Sequence, residues 1–303
     1  MQSHLRPGAR SAPHPIQQPS TEEGNILSHS NRHWVERRSE KNWLRTFLGN
    51  LGLGSQLAFV AGIVNSVAFL AFGAYVSHVS GLATRSAVEY SEGNTGIAAA
   101  FCGEIFFFVS GAILTTVLQA GRNSESRKIR YFLPVFLEAA LITGSAIIIA
   151  LSPDAMNALG TYHPIAVFGL CMAMGMQNAI LRHASGAILR TTHVTGMVTD
   201  MGIALGTALH SVLFNVQQQR KLGAFKNMKY LEMISQQLAV FGDKFKAERF
   251  FLHFSLFSSF LIGAAAGAMG FYKFKVLILA VPIIMLLVIG IRQYLFWDAR
   301  KEG

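Results

Sequence analysis

The strongest constraint on this chain is the length of its apolar runs. They lie at about Ser55–Val76, Ile97–Gln119, Tyr131–Leu151, His163–Leu181, Phe250–Tyr272 and Phe274–Phe296, and they are continuous rather than alternating. About 20 apolar residues in a helix match the ~30 Å hydrocarbon core of a bilayer. Lipid offers backbone N–H and C=O groups no partners, so a spanning segment is a helix or part of a closed barrel. Barrel strands alternate in polarity, and these runs do not. The expected fold is all-α: a polytopic membrane protein with about six transmembrane helices. Charged residues make up 14% of the chain, against roughly a quarter in a soluble domain, which points the same way.

A formal charge of +10 raises nucleic acid as a partner, but the basic residues sit between the apolar runs. Arg122, Arg127, Lys128 and Arg130 follow the second run. Arg220, Lys221, Lys226, Lys229, Lys244, Lys246 and Arg249 belong to a long loop from Asn215 to Arg249, whereas the loop Ser152–Tyr162 has neither Lys nor Arg. This asymmetry is the positive-inside pattern, so the expected partner is the lipid bilayer and not nucleic acid. Six crossings with both termini cytoplasmic put every basic stretch inside, except Lys273 and Lys275 in a tight outer turn. Residues 1–54 read as a disordered basic cytoplasmic tail with room for a short surface helix near Trp34 to Leu48. They contain no apolar core of a secretory signal. Residues 297–303 form a short C-terminal tail.

The stretch Arg182–Phe214 is ambiguous. If His193–Phe214 crossed the membrane, the long basic loop would lie outside, so this stretch reads as re-entrant; a seventh span is the competing reading. Within the loop, Phe225, Met228, Leu231, Ile234, Leu238, Phe241 and Phe245 recur at helical spacing. They indicate an amphipathic helix at about 224–247, lying on the inner membrane surface or against a partner protein. Cys102 and Cys171 fall inside apolar runs and read as packing residues.

The chain also repeats itself. Gly62 and Asn65 of AGIVNSVAFLAFGAYVSHVSGLATRSAVE match Gly175 and Asn178 of MGMQNAILRHASGAILRTTHVTGMVTDMGIA. After a shift of two residues, His78, Val79, Ser80 and Gly81 match His193, Val194, Thr195 and Gly196; Thr84 then matches Thr199, and Arg85 falls opposite Asp200. Apolarity alone does not produce a shared His-Val-(Ser/Thr)-Gly-x-x-Thr. Each copy, 55–151 and 163–296, holds three spans and one polar re-entrant or broken-helix segment. An odd number of spans per copy makes a 3+3 inverted repeat, a plan of secondary transporters in which the site lies near the midplane.

These two blocks, GIVNSVAFLAFGAYVSHVSG and GMQNAILRHASGAILRTTHVTGMVTDMGIALG, resemble the YoaK family of bacterial membrane proteins. The resemblance covers about Leu51 to Phe296. It implies a six-span protein of the bacterial inner membrane and supplies no substrate, so function has to be argued from the polar residues at membrane depth.

An ionisable group at that depth is costly and is a functional candidate by default. His78 and Arg85 are two helical turns apart, as are His193 and Asp200, so Arg85 could pair with Asp200 if the two elements meet. Ser80–Gly81 and Thr195–Gly196 are suited to the start of a helix, whose free N–H groups favour an anion. The candidate substrate-binding residues are therefore Asn65, His78, Ser80, Gly81, Arg85, Asn178, His193, Thr195, Gly196 and Asp200, with a small, anionic solute as substrate. The alternative is that these groups only tie the two halves together. Glu104 and Glu138, inside the second and third runs, are candidates for carrying a coupled proton or for bonding to a neighbouring helix. No GxSxG, HExxH, CxxC or Gly-rich phosphate loop is present, so neither enzymatic activity nor a cofactor is expected. A metal site at His78, His193 and Asp200, as in a membrane enzyme, and a non-transporting scaffold or sensor are the other readings. Gly263 and Gly267 have the GxxxG spacing that serves homo-oligomers or packing within one chain.

Overall fold

Proline and glycine mark where the apolar runs become helices. Pro164 opens one helix, a position where its missing N–H is no loss, and Pro134 and Pro282 lie in the first turns of two others. Gly73 stops the first helix. Its φ of 68° is left-handed, and its N–H donates to the Phe69 carbonyl at 2.8 Å, a stop that glycine makes without steric cost. In this computed structural model the described residues are 51–120, 131–151, 164–185, 191–221 and 247–298, with a few single positions besides. The helices are α1 (Leu51–Phe72), α2 (Val79–Ser91), α3 (Thr95–Ala120), α4 (Phe132–Leu151), α5 (Pro164–Ala184), α6 (Val194–Lys221), α7 (Ala247–Phe274) and α8 (Ala280–Asp298). A 3-10 turn, Lys275–Leu279, joins α7 to α8.

The fold is all-helical, with no strand among the described residues, and six stretches are long and apolar enough to cross a membrane. Five of them are α1, α3, α4, α5 and α6. The sixth, Phe250–Leu295, has 46 residues and would measure about 69 Å as one straight helix, more than twice the hydrocarbon core. It is broken at Lys275, whose φ is 53°, and Ile278 packs back onto Gly270.

Two elements that the sequence left open take a definite form. From Val194 the chain runs as one unbroken helix of 28 residues, about 42 Å long. The spacing of Gly263 and Gly267 serves packing within the chain: Gly263 lies on the backbone of Phe59 and Gly267 on that of Ile63. The N-terminal tail with its surface helix, the loop Ser152–Tyr162 and the amphipathic helix at 224–247 lie outside the described residues, apart from the start of α1 and isolated positions.

The core forms where helices meet backbone to backbone. A Cβ on Gly175 of α5 would run into the Phe108 carbonyl of α3, and one on Gly111 into Met172 of α5. A Cβ on Gly62 of α1 would run into Phe260 of α7, and one on Gly263 into Phe59. Small residues permit such contact, and in lipid close packing replaces the hydrophobic effect as the drive for helix association. The two crossings correspond residue by residue. Phe59, Gly62 and Ile63 stand in the same register as Met172, Gly175 and Met176; Phe108, Gly111 and Thr115 stand in the same register as Phe260, Gly263 and Gly267. Gly267 abuts Ile63, just as Thr115 donates its hydroxyl to the Met176 carbonyl. α2 packs on α3 as α6 packs on α7, and α4 lies against both α5 and α8.

Candidate functional site

Gly62, Phe108, Gly175 and Phe260 each fall near the middle of their helices. The two elements that carry the repeated motif return to this level. After α1 ends, the chain turns back so that the Ser77 hydroxyl donates to Asn65 Oδ1 at 3.1 Å. After α5, Asn178 does the same more extensively. Its Oδ1 accepts from the Thr191 N–H at 3.1 Å, the Thr191 hydroxyl at 3.2 Å and the Thr192 N–H at 3.3 Å. Its Nδ2 donates to Thr192 Oγ1 at 2.7 Å and to the Met174 carbonyl at 3.0 Å. Ser77 and Thr192 each precede the motif histidine, so one amide in each copy holds the start of the next helix.

That helix begins in the same way in both copies. The Leu82 N–H donates to the His78 carbonyl at 3.1 Å and the Met197 N–H to the His193 carbonyl at 3.0 Å. The Thr84 hydroxyl bonds the Ser80 carbonyl, as Thr199 bonds Thr195. Each histidine ring folds over its own first turn, where a Cβ on Gly81 or Gly196 would strike Nδ1. A side chain at either glycine would have to displace the ring above it.

Between the two starts lies a cavity of about 1050 Å³. Asn65, His78 and Ser80 line it from one copy, and Asn178, His193 and Thr195 from the other. Six of the ten expected binding residues thus come together. Gly81 and Arg85 line a smaller adjoining hollow of about 410 Å³ that shares Tyr75, His78 and Ser80, while Gly196 and Asp200 line neither. The expected Arg85–Asp200 pair does not form. The Arg85 guanidinium lies over the Phe101 ring at 4.7 Å and donates to the Gly73 carbonyl at 3.4 Å. Asp200 pairs instead with His253 at 3.3 Å. Phe101 and His253 occupy corresponding places on α3 and α7, so each partner is supplied by the helix behind and not from across the axis. Asp200 does not line the cavity that the two motif histidines share, and no group of three or more His, Cys, Asp or Glu able to hold a metal occurs among the described residues.

Glu104 and Glu138 are fully buried and line neither space. Among the described residues neither oxygen of Glu138 has a hydrogen-bond partner. The cavity adds residues that the sequence did not single out: Tyr75, Ser77, Phe108, Thr116, Arg182, His183, Thr192 and Phe260. Arg182 and His183 close α5, where basic side chains suit the helix C-terminus, so in sequence they resemble ordinary loop cations.

A family match covers residues 53–291, from the first turn of α1 to well into α8, and includes both copies of the motif. The chain belongs to the DUF1275 family. That family is described as proteins of unknown function. No curated protein and no solved structure matches this DUF1275 protein, so its chemistry is read from the cavity itself.

Proposed function

We propose that this DUF1275 protein is a secondary transporter or channel for a small, anionic solute, with the site between the two His-Val-(Ser/Thr)-Gly elements. The observation that carries this reading is the mid-helix cavity, whose polar walls come in matched sets from the two copies. A cleft of that size with a few convergent polar groups is the usual form of a small-ligand site. In this reading α1, α3, α4, α5, α7 and α8 cross the bilayer. α2, with 13 residues, is about 20 Å long and reaches from the middle to one face. α6 also starts at mid-depth. Asp200, two turns into α6, pairs with His253, two turns before Phe260, so roughly half of α6 runs on past the start of α7.

Three spans per copy then make the copies inverted, with both termini in the cytoplasm of a bacterial inner membrane, as the likeness to YoaK proteins also suggests. Movement of one copy against the other opens the cavity to each side in turn. Glu104 and Glu138 lie outside the cavity, so a proton carried by them couples to the solute through helix movement rather than by touching it. The reading is tested by reconstituting the purified chain in liposomes and measuring uptake of a panel of radiolabelled small acids. Uptake at least tenfold above empty liposomes is the expected result; no uptake and no binding of any of them would sink the proposal.

A further inference from the structure

The two copies line the cavity with matched polar groups but not with matched charge. Arg182 and His183 stand at the end of α5, and the corresponding places at the end of α1 hold Phe69 and Leu70. His183 is tethered to α3 by the Thr116 hydroxyl at 3.1 Å. Arg182 is exposed to the cavity and has no ion pair among the described residues. Among the described residues no Asp or Glu lines the space. A guanidinium beside such a cleft, with no carboxylate among the described residues of the wall to neutralise it, leaves net positive charge to be met from outside. The planar fork of Arg matches a carboxylate in two parallel bonds.

The remainder of the wall says what that anion carries. Phe108, Phe260, Tyr75 and Val194 present apolar faces. A volume of about 1050 Å³ stands at the upper end of ordinary ligand sites, roughly 300–1,000 Å³. A bare inorganic ion would leave those faces unused and would keep its water. We infer that the cavity takes a small organic carboxylate with an apolar body, and that Arg182 is the residue that selects the carboxylate. This rests on the reading of the cavity as a solute site and adds the class of solute.

The test uses matched acid and amide pairs, hexanoate with hexanamide and benzoate with benzamide, titrated by calorimetry into the full chain in nanodiscs. The acids are expected to bind at least tenfold more tightly than the amides. Arg182→Gln should abolish that preference, with thermal unfolding as the check that the variant is folded; Arg182→Lys should retain part of the preference. If acids and amides bind the native chain alike, or if Arg182→Gln keeps the preference, the inference is wrong and the solute site stands. If neither acid nor amide binds the native chain, the solute site falls and this inference with it.

Discussion

Gly175→Ala should abolish the folded state of the detergent-solubilised protein, or lower its melting temperature more than a methyl added at any glycine that does not meet the backbone of another helix. The added Cβ would meet the Phe108 carbonyl and Cα, which are backbone atoms in the middle of α3. A flexible side chain can swing away from such a contact, but two helix backbones relieve it only by separating along their length. Overpacking typically costs about 1–3 kcal/mol, and a rigid collision lies at or above the top of that range. Gly62→Ala meets the Phe260 carbonyl and the Ala264 nitrogen and should behave alike. Gly144→Ala is the control: nothing lies within 4 Å of its Cβ, and a helix favours Ala over Gly by about 1 kcal/mol. Thermal unfolding and the yield of monodisperse protein check all three. Equal tolerance of Gly144→Ala and Gly175→Ala would mean that α3 and α5 do not cross at this glycine.

Asn178→Ala should reduce solute uptake by tenfold or more and destabilise the protein, while Asn65→Ala should be milder. Asn178 satisfies two backbone N–H groups and one hydroxyl at the entry to α6, and Thr191 is fully buried. A buried donor left without a partner costs about 1–3 kcal/mol. The entry would shift to find other partners, carrying Thr192, His193 and Thr195 out of the cavity wall. Asn65 receives a single bond from Ser77, so its copy loses less. Uptake in liposomes and unfolding temperature, measured on both variants, separate the two effects. An Asn65→Ala variant worse than Asn178→Ala would contradict this account of how the motif is held.

Much of this was legible in the sequence because it follows from local pattern. Apolar run length gave the helices, and the repeated His-Val-(Ser/Thr)-Gly gave two matching helix starts that share one cavity. What was hidden depends on a third element. Arg85 and Asp200 stand at corresponding places, which suggested that they pair with each other. Their partners, Phe101 and His253, are chosen by α3 and α7 packing behind them. Arg182 was hidden because a cation after an apolar run signals a membrane boundary, and only the start of α6 completes the cavity that it lines. The GxxxG at Gly263 suited another copy of the chain and packing within one chain alike, and the residues that fill it, Phe59 and Ile63, are far away in sequence. Positive charge in the loops favoured a re-entrant stretch from His193, but loop charge carries no information about how long the helix there is.

The most direct test of the central claim, a water-accessible solute cavity between the two motif elements, is thiol labelling. Cys102 and Cys171 are replaced, single cysteines are placed at Ser80, Thr195 and Ser145, and an anionic, membrane-impermeant thiosulfonate is applied to sealed vesicles of each orientation. Ser80→Cys and Thr195→Cys should both react, and Ser145→Cys, buried where its native hydroxyl bonds the Ala166 carbonyl, should not. Reaction at neither Ser80→Cys nor Thr195→Cys from either side, or equal reaction at all three positions, would contradict the account.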